Sequence, residues 1–195
     1  MQGQNLLSGF NEPVLEAQSS YRRLLEAMAH PGRIVTLNSS AETPRPLSPA
    51  ATAIALSLFD FETRVWLAPE AWPARDYLGF HCHCPITESP AKATFALLPA
   101  GSSRPDLADF NLGTDEHPER STTLILEVAE LSNESGVTLS GPGINGSTWL
   151  SVSGVDDGFW QQVRHNHGLF PRGVDLILSC GDRLAAIPRS TKVED

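Results

Sequence analysis

The stretch VDLILSCGDRLAAIP, residues 174–188, decides how the chain folds. VDLILSC (174–180) and LAAIP (184–188) are apolar, strand-like runs, and the GDR between them reads as a hairpin connection. Asp175 places a carboxylate at the start of an apolar strand. Such a group needs a partner if buried, and Arg172 and Arg189 stand nearby in sequence. Upstream, TTLILEVAEL (122–131) is the most strand-like run, followed by VTLSG (137–141). Shorter strands are predicted in RIVTL (33–37), TRVWLA (63–68) and ATFALL (93–98).

Helices are predicted between the strands. In residues 13–29, Val14, Ala17, Tyr21, Leu24, Leu25 and Met28 recur at helical spacing and form one apolar face, with Arg22 and Arg23 off it. Pro13 suits the first helical position, and His30-Pro31-Gly32 ends the helix. Ser48 and Pro49 open a second helix to about Phe59 after a polar, Pro-rich loop (38–49). A short helix is predicted over 73–79, a weak one over 105–112 and a third over 156–166. The alternation has no strict βαβ beat. It predicts an α/β fold: a mixed β-sheet with helices on both faces, in three α/β/α layers. One domain over residues 1–195 is expected, with residues 1–10 flexible.

Charge narrows the function. The formal net charge is −9, which argues against nucleic-acid binding as the main role. Basic residues are twelve Arg against two Lys, Lys92 and Lys192; the Arg fork suits anions and polar interfaces. MQGQNLLSGF lacks the basic start and long apolar stretch of an export signal, and no apolar run is long enough to span a bilayer. A cytoplasmic protein, away from membranes, is expected. Three Cys residues do not make a disulfide framework.

Several strings look like chemistry. HCHC (81–84) sets four metal-ligand types in a row. Read as extended chain, it puts His81 and His83 on one face and Cys82 and Cys84 on the other, so all four cannot hold one ion. A His81–His83 pair with a distant carboxylate is the surviving metal reading; buried Cys with outward-facing His is the plainer one. GPGING (141–146) spells the dinucleotide fingerprint, but a β-like segment follows where a helix is needed. HNH (165–167) falls at a helix end. No nucleophile elbow or phosphate loop occurs, and Cys180 reads as a strand-end thiol. The residues alone describe an acidic α/β chain with scattered Arg and His and no self-sufficient catalytic set.

YRRLLEAMAHPG (21–32), FHCHCPIT (80–87), TFALL (94–98), LSGPGI (139–144) and FPRGVDLILSCGDRLAAIPRST (170–191), in this order and spacing, resemble the PhnH family. That family supplies one component of the bacterial carbon–phosphorus lyase system, and the match runs from about Pro13 to Lys192. The resemblance implies phosphonate catabolism. In that system the G, H and I subunits, with the L subunit, replace the adenine of MgATP by a phosphonate such as methylphosphonate. The J subunit then breaks the C–P bond. The resemblance implies a core complex with the G, I and J subunits and a homodimer when the PhnH chain is alone. It also implies a fold like the pyridoxal-phosphate-dependent transferases without that cofactor. Neither Lys92, beside a strand, nor Lys192, at a frayed terminus, offers a convincing Schiff-base site.

No catalytic or metal residue is assigned on this basis. Arg22, His81 and Arg189 lie in matched segments as candidate ligand or interface residues, with Asp175 beside them; ion pairing with Asp175 or Glu26 is the competing reading. The expected role is an accessory subunit, not catalytic alone. The alternatives are a subunit lending side chains to a shared phosphonate or nucleotide site and, more weakly, a free-standing metal-dependent hydrolase using His81 and His83.

Overall fold

The computed structural model describes residues 7–194. In chain order the elements are α1 (Pro13–Ala29), β1 (Val35–Thr36), α2 (Pro49–Leu58), β2 (Val65–Leu67), α3 (Arg75–Cys82), β3 (Ile86–Thr87) and β4 (Phe95–Leu98). They continue with β5 (Thr123–Glu127), β6 (Glu130–Ser140), β7 (Ser147–Ser153), α4 (Asp157–Gly168), β8 (Asp175–Cys180), β9 (Arg183–Ile187) and β10 (Lys192–Glu194). The predicted hairpin is present: β8 and β9 are antiparallel, with Leu176 opposite Ile187 and Cys180 opposite Arg183. Gly181 takes the positive φ of +61° that the turn requires.

The hairpin sits inside a seven-stranded mixed sheet of order β1-β9-β8-β5-β4-β2-β3. Strands β8, β5, β4, β2 and β3 run parallel; β9 pairs antiparallel with β8, and β1 pairs antiparallel with β9 at the edge. Side chains alternate across it, as the strand pleat dictates. Val65, Leu97, Ile125 and Ile177 join α1, α2 and α3 in one core; Leu124, Leu126, Leu176 and Leu178 face the other side. Helix α2 lies close because its contact face is Ala50, Ala51, Ala53 and Ala55, all fully buried. Ser48 caps it by accepting from Ala51 N, and Ser48 N donates to the buried Glu127 carboxylate at 2.7 Å.

The mixed sheet is as predicted, but the second face is not a layer of helices. It is shared between α4 and a three-stranded antiparallel sheet of order β10-β6-β7. Two readings conceal that sheet in the sequence. The run 122–131 is not one strand: β5 ends at Glu127, and the chain changes sheets through Val128, whose N–H donates to Ser179 O, and Ala129, whose N–H donates to Ser153 O. VTLSG is in turn the end of an eleven-residue β6. Its middle, Asn133 to Gly136, is polar and exposed because the register shifts there between Ser132 and Val137. Gly136 is demanded by that irregularity: with φ +119°, a Cβ would lie 2.3 Å from Leu150 O. The expected frayed terminus is also a strand, with Lys192 opposite Ser140.

Helix α1 has the predicted bounds but a different orientation. Ser20, Leu24 and Ala27 are buried, whereas Val14, Tyr21 and Leu25 are exposed. The small Ser20 and Ala27 permit close packing, so the helix turns its larger residues outward. The weak helix near 105–112 is only a 3-10 turn at Leu107–Asp109. Of the segment expected to be flexible, residues 1–6 lie outside the described residues. Leu7 and Phe10 pack against the first core. No helix among the described residues is long and apolar enough to cross a membrane.

Candidate functional site

HCHC is not extended. His81 and Cys82 close the last turn of α3, and His83 is its C-cap in the left-handed region at φ 56°. That turn, and not strand alternation, delivers both Cys82 and Cys84 to the core. Burial pushes the Cys82 thiol up to about 12, helped by the neighbouring Cys84, whose own thiol burial also raises. His81 points the other way and holds the incoming chain. Its Nε2 donates to Leu7 O at 3.0 Å, which fixes the tautomer, and Tyr77 OH donates to Ser8 O at 3.1 Å. Burial first, then the Cys82 and Glu42 charges, raise the Tyr77 phenol to about 12. Gly9 passes so near that a Cβ would meet His81 Nδ1 at 3.1 Å. His83 is exposed. Among the described residues no three His, Cys, Asp or Glu side chains are grouped to hold a metal ion.

The hairpin builds a different site. Because Leu176 faces Ile187, Asp175, one residue beyond that pair, and Arg189, two beyond it, lie diagonally across the hairpin and meet. Asp175 Oδ1 accepts from Arg189 N at 2.8 Å and Nε at 3.1 Å, and Oδ2 accepts from Nη2 at 2.5 Å. Arg189 Nη1 donates to Pro118 O at 2.6 Å. The two side chains are only 14% and 15% exposed. This bidentate fork fixes the floor of a cleft of about 490 Å³. Its walls are Met28 and Ala29 at the end of α1, the Pro142-Gly143 turn and Phe170-Pro171. Gly143 is in contact with α1: its φ is +84°, and a Cβ would lie 2.1 Å from Ala29 O.

The chemistry of this cleft follows from what is already spent. The Arg189 fork is turned onto Asp175 and Pro118, so it presents no free two-pronged donor to an anion. The walls are mostly apolar. Glu119 at the rim adds a second carboxylate; its own backbone N–H, then His117 at 3.2 Å, hold it below the ordinary range. Helix α1 has no basic residue in its last turn, and its C-cap His30 closes the carbonyl end, with ring Nδ1 donating to Glu26 O at 3.0 Å. Such a surface suits apolar groups and offers no free guanidinium fork to a phosphate; its carboxylates are already matched, Asp175 by Arg189 and Glu119 by His117 and the nearby Arg120.

Of the residues singled out from sequence, Arg189 and Asp175 are brought together. Arg22 is exposed on α1, and neither it nor His81 lines the cleft. Sequence reasoning missed Met28, Gly143 and Phe170 as neighbours. A signal existed: three segments that carried the resemblance, 21–32, 139–144 and 170–191, all contribute walls here. A second cavity, of about 420 Å³, runs between the 107–109 turn and α4. Two of its polar side chains are occupied internally: Gln162 bridges Leu107 N and Asp106, and Asn166 brackets the Val174 backbone; Gln161 and His165 also line it. The first cleft is where the segments that carried the resemblance converge.

Fold and cleft define an α/β protein with a mostly apolar cleft set around an internal Asp175–Arg189 pair. Comparison with known proteins makes the assignment particular. The chain belongs to the PhnH family of bacterial phosphonate metabolism proteins, whose model matches residues 8–194. It is 37% identical over 195 residues to the alpha-D-ribose 1-methylphosphonate 5-triphosphate synthase subunit PhnH of Rhizobium meliloti (strain 1021), covering 99% of this chain and 98% of the relative. It is 32% identical over 176 residues to HtxG of Stutzerimonas stutzeri, a protein named for the C-P lyase, covering 90% and 85%.

Proposed function

We propose that this chain is the PhnH component of a carbon–phosphorus lyase system in phosphonate catabolism. In this reading it is needed, with the G, I and L subunits, for transfer of a ribosyl triphosphate from MgATP to a phosphonate such as methylphosphonate, and it acts by assembly and support. The observation that carries the reading is end-to-end similarity to a named synthase subunit. The occupied Arg189 fork supports the accessory form of it. We further propose a homodimer, a core complex with the G, I and J subunits, and a cytoplasmic setting. The parallel run of strands between layers is compatible with the transferase-like fold that the family resemblance implies.

The test is co-purification. This chain is expressed with the G, I and J subunits, the I subunit is tagged, and the eluted complex is weighed. Stoichiometric recovery is expected; assembly of the partners without this chain would overturn the reading. The second reading, a shared ligand site, rests on the exposed Arg22 guanidinium. It predicts that MgATP or methylphosphonate raises the melting midpoint and that Arg22→Ala removes the rise.

A further inference from the structure

The GPGING turn (141–146) cannot hold a dinucleotide, because β7 and not a helix follows it. It does border a second pocket, of about 330 Å³, together with the loop after α1 and the start of β7. The side chains there are donors. Arg33, Asn145, Ser147 and Thr148 line the pocket, and among the described residues no Asp or Glu does. The N–H groups of Gly143 and Asn145, both in the lining, meet no acceptor among the described residues. Asn133 fixes the wall: its Nδ2 donates to Gly32 O at 2.9 Å and to Trp149 O at 2.7 Å, which ties the loop to β7. His30 Nδ1 is spent on Glu26 O, so the neutral ring adds no further donor.

Arg33 differs from Arg189 in what it has left to give. Its one bond runs from Nη1 to Glu26 Oε1 at 3.3 Å, and Arg23 holds the same carboxylate more closely, at 2.9 Å. Two guanidinium groups therefore share one carboxylate. Nε and Nη2 of Arg33 have no partner among the described residues. Glu134, beside Asn133 on β6, lies outside the lining. We infer that this pocket binds a tetrahedral oxyanion, a phosphate or phosphonate group. The Arg33 fork is its charged contact, and the turn amides with the Asn145, Ser147 and Thr148 side chains are its neutral donors. The volume accepts such a group together with a small organic substituent. The formal charge of −9 opposes an anion at long range, so the pocket works by contact and not by steering. The inference rests on the proposed function only for which oxyanion the protein meets; it deepens the shared-site reading and moves the anion from Arg22 to Arg33.

The experiment is a titration of the isotope-labelled full chain, followed by amide NMR, with inorganic phosphate, methylphosphonate and MgATP in separate arms. Saturating shifts are expected at residues 30–33 and 141–148. Arg33→Ala should weaken binding about tenfold, and Arg33→Lys about threefold, since lysine keeps the charge and loses the fork. Arg64→Ala, which removes an exposed guanidinium elsewhere, should bind like the unaltered chain. The melting midpoint of each variant reads its folding separately. The tightest arm names the source of the group: a phosphonate, free phosphate, or the triphosphate of a nucleotide. Shifts that do not saturate overturn the site, and so does unchanged affinity in Arg33→Ala. Loss of binding in Arg22→Ala but not in Arg33→Ala also overturns it, because the anion then sits on the flank of α1. Co-purification with the G, I and J subunits tests the proposed function without the pocket, so the two readings fail independently.

Discussion

The segment 81–84 and the cleft at Asp175 and Arg189 are opposites. The first has four ligand-type residues in a row, and the structure scatters them: two thiols into the core, one imidazole onto the incoming backbone, one into solvent. The second has no motif, yet segments far apart in the chain meet there and one ion pair fixes their meeting. Adjacency in sequence does not make a site, since a helix turn aims neighbours about 100° apart. Convergence in space does.

Substitutions can break or sharpen this contrast. The largest effect is expected at the cleft floor. Asp175→Ala leaves the mostly buried Arg189 without its carboxylate and should cost about 3 kcal/mol in denaturant unfolding; a loss below about 1 kcal/mol would make the pair an ornament. Next is the wall. Gly143→Ala puts a methyl group into Ala29 O at a positive φ and should cost about 2 kcal/mol.

Changes in the motif should matter less. Cys82→Ala removes a small buried thiol and should cost about 1 kcal/mol, with no loss of bound metal on elemental analysis. His83→Gly should stabilise by up to about 1 kcal/mol, because glycine takes the left-handed cap without a Cβ penalty. A marked destabilisation there would make His83 a functional residue again. The smallest effect is a slope. Burial holds the Glu127 carboxyl above the ordinary range, against the Ser48 hydrogen bonds. Its contribution to stability is full when both states are protonated and is lost as pH rises through the folded-state value. Between about pH 5 and pH 8 the melting midpoint of the unaltered chain should therefore fall relative to Glu127→Gln. Parallel curves would show Glu127 to be effectively solvated.

Much of the fold is legible in the sequence, for definable reasons. The bounds of α1 and α2 and the β8–β9 hairpin follow from Pro and Ser caps, turn residues and apolar periodicity, all of which act within a few residues. The face that α1 buries is not legible. Periodicity marks which residues are apolar, whereas packing distance chose Ser20 and Ala27 because they are small. The second sheet is hidden because a strand that changes sheets at Val128–Ala129 looks like one continuous run.

The sequence by itself determined the main helices and the β8–β9 hairpin, the acidic character and, through spaced segments, the family. Only the tertiary structure decided that Arg189 is spent on Asp175, that HCHC is a helix end, and that α1 leaves Val14, Tyr21 and Leu25 exposed. Capping and periodicity are local, so a chain declares them; burial, pairing and charge compensation depend on which distant segments pack together, and that is fixed only in the assembled fold.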